Sequence, residues 1–281
     1  MRLNPISSST IVIVFFVLSI GYIGAKRLTD EENKILQAEC GKTAKSSNAE
    51  GITAERRKAP WLINYRNGNL SCSGVLISRK RFLTARHCLT KNITDSPSFS
   101  DKACTPLKDY IIQLDQLELD IGSSMITKGE ACLFEYCKLK NPHYVDLSII
   151  TLPTDLDLSD TLKPICISRN NIPFGSQVSV SSFGVPKSDS KSGNEASSRP
   201  SRVFSTEKLQ IASSTAEHNA HEATGWHTAG TRAGDSGSSA IVQKDGRSFL
   251  IGIVSRKVGG SLLMDIPSQA KKLCKLYNIC P

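Results

Sequence analysis

Three short segments carry side chains that could together perform nucleophilic chemistry. Gly234-Asp235-Ser236-Gly237 sets a serine between glycines. A serine hydroxyl attacks a carbonyl only when a base takes its proton and donors hold the resulting oxyanion. Flanking glycines let the backbone turn tightly and aim its amides at one point. Alone, the tetrapeptide is equally an ordinary turn. Leu83-Thr84-Ala85-Arg86-His87-Cys88 supplies a histidine, which in isolation is better read as a structural core residue. Asp146-Leu147-Ser148-Ile149-Ile150 sets a carboxylate at the mouth of an apolar run, in isolation a plain strand-start acid. Taken together they provide a nucleophile, a base and a carboxylate to orient the base. They occur in the order His, Asp, Ser, at separations suited to one barrel followed by a second.

Elements able to position such a site begin after Pro60-Trp61. Short β-like runs then alternate with Gly, Pro, Asn and Ser: Trp61–Tyr65, Gly74–Ile77, Arg81–Leu83, Tyr110–Leu114, Leu147–Leu152, Gln177–Val180, Ser239–Val242 and Phe249–Val254. Strands of this length and spacing predict an all-β barrel or sandwich. Two helices flank them. Leu28 to Cys40 opens with Thr29 and Glu32 in capping-box spacing, before Ile35, Leu36 and Ala38. Pro267 to Tyr277 closes the chain, with Ala270, Leu273, Leu276 and Tyr277 on one side. Gly41 to Lys58 is polar and reads as a linker or activation stretch. Lys187 to Arg202, low in hydrophobic residues, reads as a mobile surface loop.

The three motifs resemble those of the chymotrypsin/trypsin family. Thr84-Ala85-Arg86-His87-Cys88 is similar to its histidine motif, Asp146 to Ile150 to its aspartate strand, and Gly234 to Gly237 to its serine loop. Pro60-Trp61 resembles the start of its first barrel. Leu28 to Gly41 and the tail Cys274 to Cys280 resemble a group of nematode secreted trypsin-like proteins. The resemblance implies two packed antiparallel β-barrels with a C-terminal helix. The first barrel would run over about 59–160, the second over about 166–266 and the helix over about 267–277. It implies His87, Asp146 and Ser236 as catalytic triad, and the amides of Gly234 and Ser236 as oxyanion hole. Ser255 would line the strand on which a peptide substrate adds. It also implies Cys72–Cys88 across the histidine loop, and Cys40–Cys166 tethering residues 26–58 as a pro-segment or brace. Cys274–Cys280 and a bridge from Cys104 to Cys132 or Cys137 complete the expected framework. Nine cysteines cannot all pair within the chain.

Four departures from the family pattern stand out. Arg86 replaces a small residue; it is read as solvent-facing, the alternative being a cation that disfavours protonated His87. Arg232 stands where a cysteine is usual, and the partner cysteine after Ser255 is missing too. Gly230 occupies the position of trypsin's acidic pocket base, with Arg256 and Lys257 along the wall, so cleavage after Lys or Arg is not supported. No Ile-Val-Gly-Gly precedes Pro60-Trp61, so the new N-terminus that would meet Asp235 is not evident. Cleavage after Lys45 is one route to it.

Composition fits this setting. Hydrophobic residues make up 39% and charged residues 22%, enough for a packed core. The net charge of +9 is read as a solvated basic surface. Its functional alternative is attraction to acidic substrates or anionic glycans. No run of Lys and Arg is long enough to argue for nucleic acid. Arg2, the apolar run Ile11 to Ile20 and small residues up to Ala25 read as a secretory signal over 1–25. An uncleaved anchor is the alternative; after signal removal no membrane span remains. The cysteines fit an oxidising compartment, and Asn69 and Asn92 begin glycosylation sequons. His218, His221 and His227 lie close in sequence, but a loop of surface histidines is preferred to a metal site, and His143 is read as a loop residue. The expectation is a secreted serine endopeptidase acting on peptides or proteins, without cofactor or metal, and open to a protein inhibitor. Its rivals are a non-catalytic binding module on the same scaffold and a structural surface-coat protein.

Overall fold

A computed structural model describes residues 27–43, 56–68, 70–89, 110–134, 145–182, 205–215, 220–224, 234–258 and 260–281. The region after Trp61 is built from strands. Six of them, β1 (Leu62–Asn67), β2 (Leu70–Ser78), β3 (Arg81–Thr84), β4 (Tyr110–Asp120), β5 (Ser124–Leu133) and β6 (Ser148–Thr151), close into a barrel in the order β1-β2-β3-β6-β5-β4. All its pairings are antiparallel. Seven more follow: β7 (Cys166–Ile167), β8 (Gln177–Ser182), β9 (Ser205–Thr215), β10 (Ala220–Thr224), β11 (Ser239–Lys244), β12 (Arg247–Val258) and β13 (Gly260–Asp265). They form a second sheet ordered β11-β8-β9-β10-β13-β12-β7, and β11 pairs with β12 as well, so six strands close a ring with β7 added beside β12. Short β7 alone runs parallel, against Phe249 and Leu250 of β12.

Burial follows from these pairings. β2, β3 and β6 are covered over most or all of their length, because they are paired on both edges and packed on both faces. The first barrel's core includes Tyr65, Leu76, Phe82, Leu83, Leu117 and Ile150, with the Tyr65 and Phe82 rings 5.5 Å apart. The second encloses a separate cluster around Val178, Val180, Ile211, Ile251 and Leu263. Trp61 is fully buried where the two meet, and its Nε1 donates to Ser239 Oγ on β11 at 3.0 Å.

Two helices tie the chain ends together. α1 (Asp30–Glu39) has the capping box: Glu32 N donates to Thr29 Oγ1 and Thr29 N to Glu32 Oε2. It buries little of itself, chiefly Leu36, so its place depends on outside contacts. Cys40 is bonded to Cys166 on β7. Arg247 donates to the carbonyls of Gln37 (2.6 Å) and Ala38 (2.7 Å), satisfying end groups that a helix leaves open. Leu28 N donates to Tyr277 O, and Asn278 Nδ2 to Leu28 O. α2 (Ile266–Tyr277) starts with a proline in its first turn and ends at Asn278 in the left-handed region. Cys274 is bonded to Cys280 just beyond it. Its buried face is Ile266, Pro267, Gln269, Ala270, Leu273 and Tyr277. Leu276, expected on that face, is 37% exposed. The helix rotates Tyr277 inward against the Arg81 guanidinium, 5.1 Å from the ring centre.

Several expectations fall on residues outside those described: the signal over 1–25, the linker over 44–55, the loop 187–202, and Cys104, Cys137 and His143. Cys132 is buried. Among the described residues no helix is long and apolar enough to cross a membrane.

Candidate active site

The site lies where strand ends of both barrels converge. After β3 the chain enters a short 3-10 turn, Arg86–Cys88. Cys88 is bonded to Cys72 on β2, which draws the turn onto the barrel. Arg86 and Cys88 are buried, while His87 between them keeps 39% of its side chain exposed. This corrects the solvent-facing expectation for Arg86, which is 1% exposed.

Asp146 comes from the residues leading into β6 and is 1% exposed. A carboxylate so deeply buried is costly unless hydrogen bonds compensate it. Three do. His87 N donates to Oδ1 at 2.9 Å, His87 Nδ1 lies 2.7 Å from Oδ2, and Ser255 Oγ donates to Oδ2 at 2.5 Å. Burial alone would push its pKa up. The His87 hydrogen bond and charge, with the Ser255 hydroxyl and the His87 amide, outweigh burial and hold it below the ordinary aspartate value. An ionised carboxylate only accepts, so the proton between them sits on His87 Nδ1. That leaves Nε2 as an acceptor, 2.9 Å from Ser236 Oγ.

Ser236 belongs to the turn joining the 225–233 region to β11. Gly234 and Gly237 both have positive φ, +88° and +85°, where a side chain would be strained. Gly237 is required sterically too: a Cβ there would meet Ser73 O at 1.9 Å. Four hydrogen bonds fix the turn. Ser73 N donates to Ser236 O (2.8 Å), Gly237 N to Val254 O (2.8 Å) and Ser238 N to Asp235 O (2.9 Å). Ser73 Oγ donates to Gly234 O at 3.3 Å. Asp235 is buried beneath.

The structure therefore brings His87, Asp146 and Ser236 into one hydrogen-bonded line, with Gly234 in the same turn as the serine. Ser255 sits differently from its expected place on the cleft wall. It is 1% exposed, its hydroxyl is spent on Asp146, and its carbonyl lies 3.2 Å from Ser236 Oγ. What this point of β12 offers the cleft is backbone. Lys257 lies on β12, but its side chain is outside what is described, as are Gly230, Asn69, Asn92, His218 and His227. His221 lies on strand β10, not in the expected loop, because residues 220–223 pair with both β9 and β13. Among the described residues no three His, Cys, Asp or Glu side chains cluster as a metal site would require. The sequence reading missed Ser73 altogether. Its only signal was position, directly after Cys72, on the strand the histidine turn is stapled to.

Two closed β layers with this convergence at their junction define the class of chymotrypsin/trypsin-like serine proteases. Within it, the chain belongs to the nematode trypsin-6-like family, whose family model matches residues 10–280. Curated relatives include Trypsin delta of Drosophila erecta, 28% identical over 141 residues, covering 47% of each chain. Serine protease SP24D of Anopheles gambiae is 24% identical over 135 residues, 48% of this chain and 45% of that protein. The match thus spans about half the length of these relatives. Among solved structures, Kallikrein-related peptidase 10 superposes with a TM-score of 0.52 at 16% identity, over 78% of this chain and 96% of the other. Neuropsin, a serine protease expressed in the limbic system of mouse brain, gives 0.53 at 18%, over 77% and 94%.

Proposed function

We propose that this protein is a secreted serine endopeptidase that hydrolyses peptide bonds through Ser236, His87 and Asp146. The observation carrying the reading is the line Ser236 Oγ–His87 Nε2–His87 Nδ1–Asp146 Oδ2, with links of 2.9 and 2.7 Å. His87 Nε2 takes the Ser236 proton as Oγ bonds to the peptide carbonyl carbon. The oxyanion that forms faces the amides of Gly234 and Ser236, which stabilise charge absent from the ground state. When the C–N bond breaks, His87 returns the proton to the leaving amine. Water then attacks the acyl-serine with His87 again as base. Asp146 stays ionised throughout and stabilises the imidazolium. No cofactor enters these steps.

Substrates are peptides or proteins docked along β12, and a protein inhibitor would occupy the same cleft. Gly230 in place of an acidic pocket base argues against Lys or Arg before the cut bond. Lys257 at the wall favours an acidic or small residue there. Secretion rests on the signal-like residues 1–25 and on the disulfides. The missing Ile-Val-Gly-Gly and the altered pocket favour a second reading, a non-catalytic binding module. Treating the secreted protein with a fluorophosphonate probe separates the two. Labelling of wild type and not of Ser236→Ala supports the enzyme. No labelling of either, even after limited proteolysis near Lys45, supports the binding module.

A further inference from the structure

The nucleophile turn is gripped from the far side of the cleft. Ser73 lies on β2 of the first barrel, fully buried, while Ser236 precedes β11 in the second sheet. Ser73 makes two contacts with the turn, its N–H to Ser236 O and its hydroxyl to Gly234 O. Its own carbonyl accepts from Thr84 Oγ1 at 2.8 Å. Thr84 Oγ1, having given its proton there, accepts from the Tyr65 hydroxyl at 2.9 Å. Tyr65 is buried, and burial pushes its pKa up, so it stays a neutral donor. Tyr65 and Thr84 thus hold the 73–74 peptide in place, beside the 72–73 peptide whose N–H reaches the turn.

We propose that Ser73 is a positioning residue that holds the Gly234–Ser236 turn in its reactive shape from the opposite barrel. This rests on the serine-protease reading given above. The physical reason lies in Gly234. A glycine at φ +88° has little intrinsic preference for that conformation. Peptide units are planar and trans, so anchoring the Gly234 carbonyl fixes the 234–235 plane and with it ψ of Gly234. The Ser238 N–H fixes the next plane through Asp235 O, and the Ser73 N–H the one after through Ser236 O. With three successive planes held, the Ser236 amide keeps one direction. The backbone contact of Ser73 survives any substitution other than proline; the hydroxyl contact needs Ser or Thr.

The test compares wild type, Ser73→Ala and Tyr65→Phe in two measurements. The first is the second-order rate of fluorophosphonate labelling across pH. Ser73→Ala is expected to lower the plateau roughly tenfold, less than the 10²–10³ lost with an oxyanion donor itself. The pH midpoint stays in place, because His87 and Asp146 are untouched. Tyr65→Phe, acting through Thr84, lowers it by a smaller factor in the same way. The second is hydrogen exchange of the 234–238 amides, measured in the Ser236→Ala background where no chemistry is needed. Adding Ser73→Ala there is expected to speed exchange of the turn roughly tenfold while the β2–β3 amides keep their protection. Unchanged turn exchange overturns the proposal whether or not the protein is an enzyme. Unlabelled wild type with accelerated turn exchange overturns the protease reading and leaves Ser73 as an anchor. Labelling equal in wild type and Ser73→Ala removes any effect on reactivity.

Discussion

The two sides of the cleft are fixed by different means. On the histidine side, a covalent staple and a buried carboxylate of the first barrel do most of the fixing. Cys72–Cys88 staples the histidine turn to β2 across 16 residues, and Asp146 is sealed in the barrel wall with three donors on it. On the nucleophile side, among the described residues, no disulfide reaches the turn. Glycine geometry and hydrogen bonds hold it, two of them from Ser73 on the other barrel. The histidine turn is thus placed mainly by the first barrel, and the serine turn by how the barrels dock. Ser255 adds a cross-link in the reverse direction, from the second sheet onto the first barrel's carboxylate.

The comparison breaks most visibly at Asp146. Asp146→Asn keeps the shape of the base side but favours the wrong histidine tautomer. The expected loss is about 10⁴-fold in kcat, read on any peptide the enzyme proves to cut, with circular dichroism unchanged. A loss under tenfold would mean that the carboxylate does not orient His87. Replacing Cys72 and Cys88 together by Ala tests the staple itself. Closing a loop of this length is worth about 3 kcal/mol, so thermal or urea unfolding should report a loss of that order. The turn's amide exchange at 234–238 should hardly change. If both sides loosen equally, the base side is not independently fixed.

The smallest effect belongs to Ser255→Ala, which removes one charge-assisted hydrogen bond worth about 1.5–3 kcal/mol. Here the sign is set by the lowered folded-state pKa of Asp146. A carboxylate with a depressed folded pKa stabilises the protein fully above its unfolded value. That stability is lost as pH falls through the folded pKa. The wild type should therefore lose this contribution only below the ordinary aspartate range. Ser255→Ala brings the folded pKa closer to the unfolded one, so the variant is less stable at neutral pH, loses less as pH falls, and converges on the wild type in acid. Urea midpoints between roughly pH 2 and 7 would reveal a gap that closes toward acid; superimposed curves would show the Ser255 hydroxyl contributes nothing to the carboxylate.

How far sequence carried this account varies with the physics. The apolar strands are legible because they are buried and short, as Arg81–Thr84 and Ser148–Thr151 are. Strand Ser124–Leu133 is not, since its first half alternates exposed and half-covered positions, with apolar Ile126 on the exposed side and Thr127 on the half-covered one. β9 and β10 escape for a related reason: they are largely polar, and part of their pairing, β10 with β13 and β9 with β8, is made by strands not next to them in sequence. The α1 boundary was readable from Thr29 and Glu32, because capping is a local code. At the site, the three side chains that the fold brings into one hydrogen-bonded line could be named from their motifs. The burial of Arg86, the inward turn of Ser255 and the grip of Ser73 could not. Each depends on what the opposite barrel presents, which no local pattern records.

The most direct measurement is peptide mapping of the fluorophosphonate adduct on the secreted protein. The account predicts one phosphonylated residue, Ser236, with labelling abolished in Ser236→Ala and reduced at least a hundredfold in His87→Ala, since each removes a member of the reacting unit. An adduct on another residue, or labelling that survives the loss of Ser236, would contradict it.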